Sequence, residues 1–436
     1  MSLMSLRFAD LFPITYGRLE PMANLTLMIG FVSISLIGGV YYVLPRLTGT
    51  RLWGSDLAAF GLYGTSGMVF IGLLAIFFGF GSGRQPLGIP WWLHIPMVFL
   101  LAIPAMITIG TISNRTENRS YVTLWFALGG VIWLPLLYLA YFAGDLPGLT
   151  ATAIAYSDVF FSAGFVTMFL FTVGTGLFYY TLVKELDVPL ASRQLAVVGF
   201  WSLGFAAVWW GTAQLMFGPG PSWLSGVGAA LGLAFPIGAL ANAVNASLTL
   251  DGSWSDVRQR PAVRAGVIGL YLGVGVAVLA AFAGFRSISS VVSLTGFWEA
   301  IEYAALAGVG TLLIAGMSFG AVPRLYGREL YVKRVRSFIT LTLTGSVGVL
   351  VFMTASGLLS GYSWIAGSNS AAYIDVGEGW GVGVGASVET LMLIAVGFAV
   401  VTFLGQLAYA ATVFGTITQG SATTQEILVA KDVDDE

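Results

Sequence analysis

The chain contains no cysteine and a single histidine, His94, in 436 residues. Without cysteine there is no disulfide, no thiolate metal site, no iron–sulfur cluster and no thioether-linked haem. One imidazole cannot supply both axial ligands of a bis-histidine haem, nor a multi-histidine copper site. Charge is also scarce. Only 9% of residues are Asp, Glu, Lys or Arg, against about a quarter in a soluble domain. A net charge of −2 spread over short loops excludes a nucleic-acid surface. No Walker motif, dinucleotide fingerprint or HExxH is present.

What is abundant belongs in a bilayer. Hydrophobic residues make up 57% of the chain, with 57 Gly, 13 Trp, 17 Tyr and 30 Phe, and the mean hydropathy is +0.86. Apolar runs long enough to cross roughly 30 Å of hydrocarbon fall at 24–45, 57–79, 90–112, 121–143, 156–183, 194–217, 223–249, 262–285, 298–322, 336–361 and 384–415. These predict an all-α, polytopic membrane helix bundle of about eleven spans forming one domain, 24–415. A short amphipathic lead precedes it at 1–23 and a cytoplasmic tail follows at 416–436. The lead has no apolar h-region, so the first span is expected to act as the insertion signal. One substantial loop, 362–381, carries Asp375 and Glu378, which are expected to be solvated.

Loops after the odd-numbered spans hold fourteen Lys and Arg, from Arg46 to Arg336, and the opposite loops hold Arg84 and Arg286. That asymmetry places the amino terminus outside and the carboxyl terminus in the cytoplasm of a cell membrane.

Three stretches resemble the catalytic subunit I of haem–copper oxidases, most closely the cbb3 type. They are YGRLEPMANLTLMIGF at 16–31 with YYVLPR at 41–46, GLFYYTLVK at 176–184 with GFWSLGFAAVWWGTAQLMFGPGPSW at 199–223, and VPRLYGRE at 322–329. The similarity runs in the same helix order over nearly the whole chain, beginning at the second helix of the family's twelve-helix core. The resemblance implies that Ala23 stands where the low-spin haem has an axial histidine. It puts Ala163, Ala213 and Gln214 in place of copper ligands, and Ala207 in place of the cross-linked tyrosine. Ile301 and Tyr303 fall where histidines hold the two haem irons. Methyl, aliphatic and amide groups cannot hold copper, and the irons lose their imidazoles. No intrinsic haem or copper is therefore expected.

The remaining polar candidates each have a plain reading beside a functional one. His94 follows Trp91 and Trp92 and reads as an interfacial aromatic-belt residue, with a ligand or proton-handling role as the functional alternative. Glu299 and Glu302 share one helical face near the start of the ninth span. They suit the helix dipole there, yet intramembrane carboxylates also suit proton or quinone contacts. Glu302 is open to two readings, a carboxyl held neutral by burial or one paired with Tyr303 or Gln214 in a hydrogen-bonded plug. Asp158 reads as a helix-end residue and Glu389 as a buried pair member without a nameable partner. Met22 and Met216 are soft ligands beside the former histidine positions, but methionine is ordinary core filling. Glycine spacings such as Gly308–Gly316 mark close helix packing, and the run Gly379–Gly385 marks a junction or a close approach.

These observations favour a non-catalytic, haemless membrane subunit, a scaffold or anchor for other membrane and cytochrome-type subunits of a respiratory or other redox complex. The alternative is a subunit that binds quinone or lipid near the former haem pockets. A proton channel or transporter has few intramembrane charges in its favour. In a retained fold Ala163, Ala213, Gln214, Ile301 and Tyr303 should converge between the fifth, sixth and ninth spans. Aromatic side chains such as Trp209 and Trp210 should fill the space, since open cavities are costly.

Overall fold

The computed structural model describes residues 15–117, 119–368 and 380–421, with side chains over 15–117, 119–365 and 387–421. Helices are the only extended regular elements among them. Eleven are long and apolar enough to cross a membrane: α1 (Tyr16–Thr48), α2 (Ser55–Phe77), α3 (Trp91–Ser113), α4 (Val122–Ala143), α5 (Ala151–Leu186), α6 (Arg193–Leu215), α7 (Ser222–Thr249), α8 (Pro261–Ala283), α9 (Phe297–Tyr326), α10 (Val332–Ile365) and α11 (Ser387–Gln419). Asp375, Glu378, Gly379 and the acidic end of the tail lie outside the described residues, and the rest of the Gly379–Gly385 run is described in its backbone alone.

The first helix begins at Tyr16 rather than near 24. Its charged residues find partners inside the helix bundle and do not interrupt it. The Arg18 guanidinium donates to the Phe77 carbonyl at the end of α2 (2.9 Å), and Glu20 lies one turn beyond Tyr16, within electrostatic reach of its hydroxyl. A paired charge near a helix end is tolerated where an isolated one would be expelled.

Burial identifies the centre. In α9, 89% of the apolar stretch is buried and in α5 83%, against 22% in α11. Between Tyr303 and Arg324, α9 carries no charge and offers small residues to its neighbours. A Cβ at Gly316 would stand 3.0 Å from the Gly266 Cα of α8, so the two backbones meet at a distance only glycine permits. Large apolar side chains on the outer faces, among them Phe60, Phe70, Phe99 and Phe414, are exposed, as lipid-facing positions require.

Loops tie the two ends of the bundle. At one end the Thr48 carbonyl accepts from the Thr116 and Glu117 amides, and the Glu329 amide donates to the Ser421 carbonyl. The other end carries the start of α1, the α2–α3 loop, the α4–α5 loop and the short helix Arg286–Val292 before α9.

Candidate functional site

Four helices depart from α geometry, and each does so beside a position where the sequence resemblance expects a lost ligand. Wide π turns occupy Leu25–Ser33 in α1, Phe165–Phe171 in α5, Ser202–Ala206 in α6 and Ala304–Gly310 in α9. In α6 the π turn leads directly into a 3₁₀ stretch, Ala207–Leu215. Two hydroxyls bond to carbonyls five residues back, Ser33 to Met28 and Thr172 to Thr167. π turns are rare and tend to occur at functional sites.

Around these turns the side chains are buried and in close contact. Ala163, Ala207, Ala213 and Ile301 are fully buried. Gly211 lies on the Val159 carbonyl, and a Cβ there would stand 2.7 Å from that of Ala163. An imidazole on residue 163 would have no room in that direction. The Trp210 ring stacks on Trp298 and on Phe235, both at 5.9 Å, while Trp209 meets Phe160 edge-on. The Gln214 amide donates to Glu302 Oε1 at 3.3 Å, joining α6 to α9. The indole N–H groups of Trp210 and Trp298 are buried and have no hydrogen-bond partner.

Other expected members of the pocket lie elsewhere. Tyr303 is half-buried, with Thr402 of α11 beside its hydroxyl. Ala23 is exposed on α1, without a covering helix among the described residues. Glu299 is exposed, within electrostatic reach of Glu20 and Tyr16. Glu389 is exposed as well. Its apolar sequence surroundings suggested a buried pair, but α11 is the outermost helix, so an apolar run there faces outward. Met22 and Met216 are half-buried.

A second polar constellation was not visible in the sequence. His94 is 1% exposed, not an interfacial belt residue. Its Nδ1 is 2.8 Å from the Tyr138 hydroxyl and its Nε2 is 3.1 Å from Asp145 Oδ2. Asp145 Oδ1 lies 3.0 Å from Arg84 Nη1. Arg84 also donates from Nε to Asp158 Oδ1 (2.7 Å) and from Nη2 to Ser157 (2.6 Å), and its guanidinium covers the Tyr141 ring at 4.2 Å. Room for that guanidinium comes from Gly144, where a Cβ would stand 2.7 Å from Cζ. Burial by itself disfavours the Arg84 charge, but the hydrogen bond and field of Asp158, with help from Tyr141 and Asp145, raise its pKa above the ordinary value. Asp158 is thus an ion-pair partner and not merely a helix-end residue.

The network clamps the α2–α3 loop to the ends of α3, α4 and α5. It reaches the closed interior through Phe161, whose ring stacks on Tyr141 at 4.9 Å two residues before Ala163. One cue existed in the sequence. Arg84 is one of only two basic residues in the loops that the charge asymmetry leaves poor in lysine and arginine.

Residues 2–388 match the family described as Cytochrome C and Quinol oxidase polypeptide I. The chain belongs to this family. Among its oxidase subunit I relatives, one from Azorhizobium caulinodans, named a cytochrome c oxidase subunit 1 homolog, is 26% identical over 95% of this chain and 77% of its own length. The cbb3-type cytochrome c oxidase subunit CcoN1 of Stutzerimonas stutzeri is 23% identical, covering 81% and 76%. Cytochrome c oxidase subunit 1 of Rhodobacter capsulatus is 25% identical, covering 80% and 68%. A haem–copper terminal oxidase dimer solved by cryo-EM superposes with a TM-score of 0.74, over 94% of this chain and 78% of that one. At 14% identity this likeness concerns the fold: the eleven helices of this oxidase subunit I relative take the family's bundle architecture, and the protein is a multi-pass membrane protein.

Proposed function

We propose that this chain is a non-catalytic subunit of a membrane redox complex, an oxidase subunit I fold that holds no haem or copper of its own. The observation that carries the reading is the donor set at the closed interior. Around Ala163, Ala213, Gln214 and Ile301 the available groups are methyl, aliphatic, carboxamide, indole and carboxylate. Among the described residues no three His, Cys, Asp or Glu side chains stand close enough to share a metal ion. Haem iron in this family is held by imidazole, and copper by several imidazoles. These residues fit neither group. The one imidazole is committed to Tyr138 and Asp145.

What the fold offers instead is rigid surface. The outer faces of α2, α3 and α11 are apolar and exposed, and the relatives carry names of oxidase subunits. Partner membrane and cytochrome-type subunits would bring the cofactors and pass the electrons, with this chain as anchor in the cell membrane, amino terminus outside.

The test is purification in mild detergent from native membranes, with mass spectrometry of the co-migrating chains. A pyridine haemochrome spectrum and metal analysis of the separated subunit complete it. Redox subunits in the complex and neither haem nor copper in this chain support the reading. Stoichiometric haem b in the separated subunit would overturn it.

A second reading rests on one specific feature. The unpartnered indole N–H groups of Trp210 and Trp298 lie on the helices that carry the Gln214–Glu302 pair. Buried donors without acceptors are costly, and a quinone carbonyl would satisfy one. Organic extraction of the pure subunit decides this, since a stoichiometric quinone would favour it over a purely structural interior.

A further inference from the structure

At the end of the bundle opposite the Arg84 network a cavity of about 800 Å³ opens between α1, α4, α5, α6 and α9. Four cations line it: Arg46, Lys184, Arg193 and Arg324. Arg324 is held by Glu185 at 2.6 Å. Among the described residues no carboxylate is paired with the other three. Arg46 lies over the Tyr42 ring at 3.7 Å and Arg193 over Trp125 at 4.5 Å, so both heads are steadied by aromatic faces. All four cationic residues are exposed, while Tyr42 is buried.

The Tyr42 hydroxyl supplies a second, independent observation. Tyr42 is 7% exposed and lines the cavity, yet its hydroxyl has no hydrogen-bond partner. A buried hydroxyl without a partner carries a desolvation penalty, which a ligand oxygen would remove. The rest of the lining includes aliphatic side chains such as Leu47 and Leu190. Cations at the rim, a free phenol below and apolar walls suit an amphiphile with an anionic head. They suit a small hydrophilic anion less well, since it would leave the apolar walls wet.

We propose that this cavity binds the phosphate-bearing headgroup of an anionic phospholipid, gripped by Arg46, Lys184 and Arg193, with Tyr42 donating to a phosphate or ester oxygen. Basic pockets between membrane helices at a bundle end are suited to such headgroups. The site is separate from the closed interior on which the functional proposal rests, and either can fail without the other.

The full chain, purified in a neutral detergent, is followed by thermal unfolding while phosphatidylglycerol, phosphatidylcholine or sodium phosphate is added. Phosphatidylglycerol is expected to raise the unfolding temperature saturably at concentrations where phosphatidylcholine does not. In the Arg46→Gln/Arg193→Gln variant the apparent affinity for phosphatidylglycerol should fall about thirtyfold. Tyr42→Phe keeps the ring and should weaken the lipid about fivefold. Circular dichroism verifies that both variants are folded. An equal response to both lipids, no response to either, or an unchanged response in the double variant would each overturn the proposal. Sodium phosphate reproducing the rise at equal concentration would assign the cations to a soluble anion and overturn the lipid.

Discussion

Replacing Arg84 by glutamine removes the one cation that Asp145 and Asp158 share. The three side chains are 9%, 14% and 21% exposed, so solvent can replace little of what is lost. Both carboxylates would stay in place, Ser157 would lose its donor, and Tyr141 would lose the charge over its ring. Removing one partner of a buried ion pair costs about 3–5 kcal/mol. A carboxamide at position 84 can return about 1 kcal/mol through one hydrogen bond, leaving a loss of about 2–4 kcal/mol. The control is Arg324→Gln. Arg324 is 38% exposed and its partner Glu185 20%, and an exposed pair of that kind contributes about 0–1 kcal/mol.

Both variants are unfolded thermally in one detergent at one scan rate, because large membrane chains unfold irreversibly. At about 2 °C per kcal/mol, Arg84→Gln should lower Tm by about 4–8 °C and Arg324→Gln by about 2 °C or less. The sign of the pH dependence follows from the raised Arg84 pKa. Its contribution is complete below the unfolded-state pKa and is lost only as pH rises through the still higher folded-state value. The Arg84 charge therefore gives no pH dependence between about pH 6 and about pH 9. Arg84→Lys should keep part of the stability, since a point charge reaches one carboxylate but lacks the fork that spans two. Equal losses from Arg84→Gln and Arg324→Gln would refute the account of this network as a structural clamp.

Trp210→Ala removes the middle ring of the Phe235–Trp210–Trp298 stack and should cost about 3–5 kcal/mol, read as a lower Tm and a lower yield of folded protein. Gln214→Leu leaves Glu302 without its α6 partner and should cost about 1–3 kcal/mol, with haem and metal content unchanged by absorbance and elemental analysis. A reporter fused at the carboxyl terminus should be active only in the cytoplasm. Activity outside would reject the orientation read from the charge asymmetry.

The spans were legible because crossing hydrocarbon demands about twenty apolar residues in a row, and that demand is local. The approach of α6 to α9 through Gln214 and Glu302 was legible by resemblance, since a shared helix order carries neighbours with it. The Arg84 network was not. Its members are separated in sequence by as many as 74 positions, and no local period reports what a loop arginine will meet. Residues near helix ends can pair sideways with a loop or reach the water, and the sequence treats these alike. His94 follows two exposed tryptophans yet faces inward, because it lies two positions beyond Trp92, which turns its side chain by about 200°. Glu389 failed for a different reason: it stands at the start of the span Ser387–Gln419, where an exposed carboxylate can reach water, so the apolar residues that follow it do not imply burial.

The π turns explain how a fold of this family can persist with other side chains at its centre. A π turn accommodates a residue beyond the α path, so straightening one by deletion would rotate everything beyond it by about 100°. In α9 the turn at Ala304–Gly310 precedes Thr311–Tyr326, and that later segment carries Gly316 against Gly266 of α8. A rotation of that size would carry Gly316 off α8 and bring a larger side chain against a backbone with no room for it. In α5 the turn at Phe165–Phe171 likewise sets the direction of Tyr179, whose hydroxyl bonds Asn242 on α7 at 2.9 Å. The turns are therefore held by packing farther along each helix, independently of any group bound beside them. Substitution at Ala163 or Ile301 changes the filling of the interior while the register of α5 and α9 stays fixed by contacts elsewhere. A scaffold whose register is held in this way presents the same outer faces to its neighbours whatever side chains fill its centre.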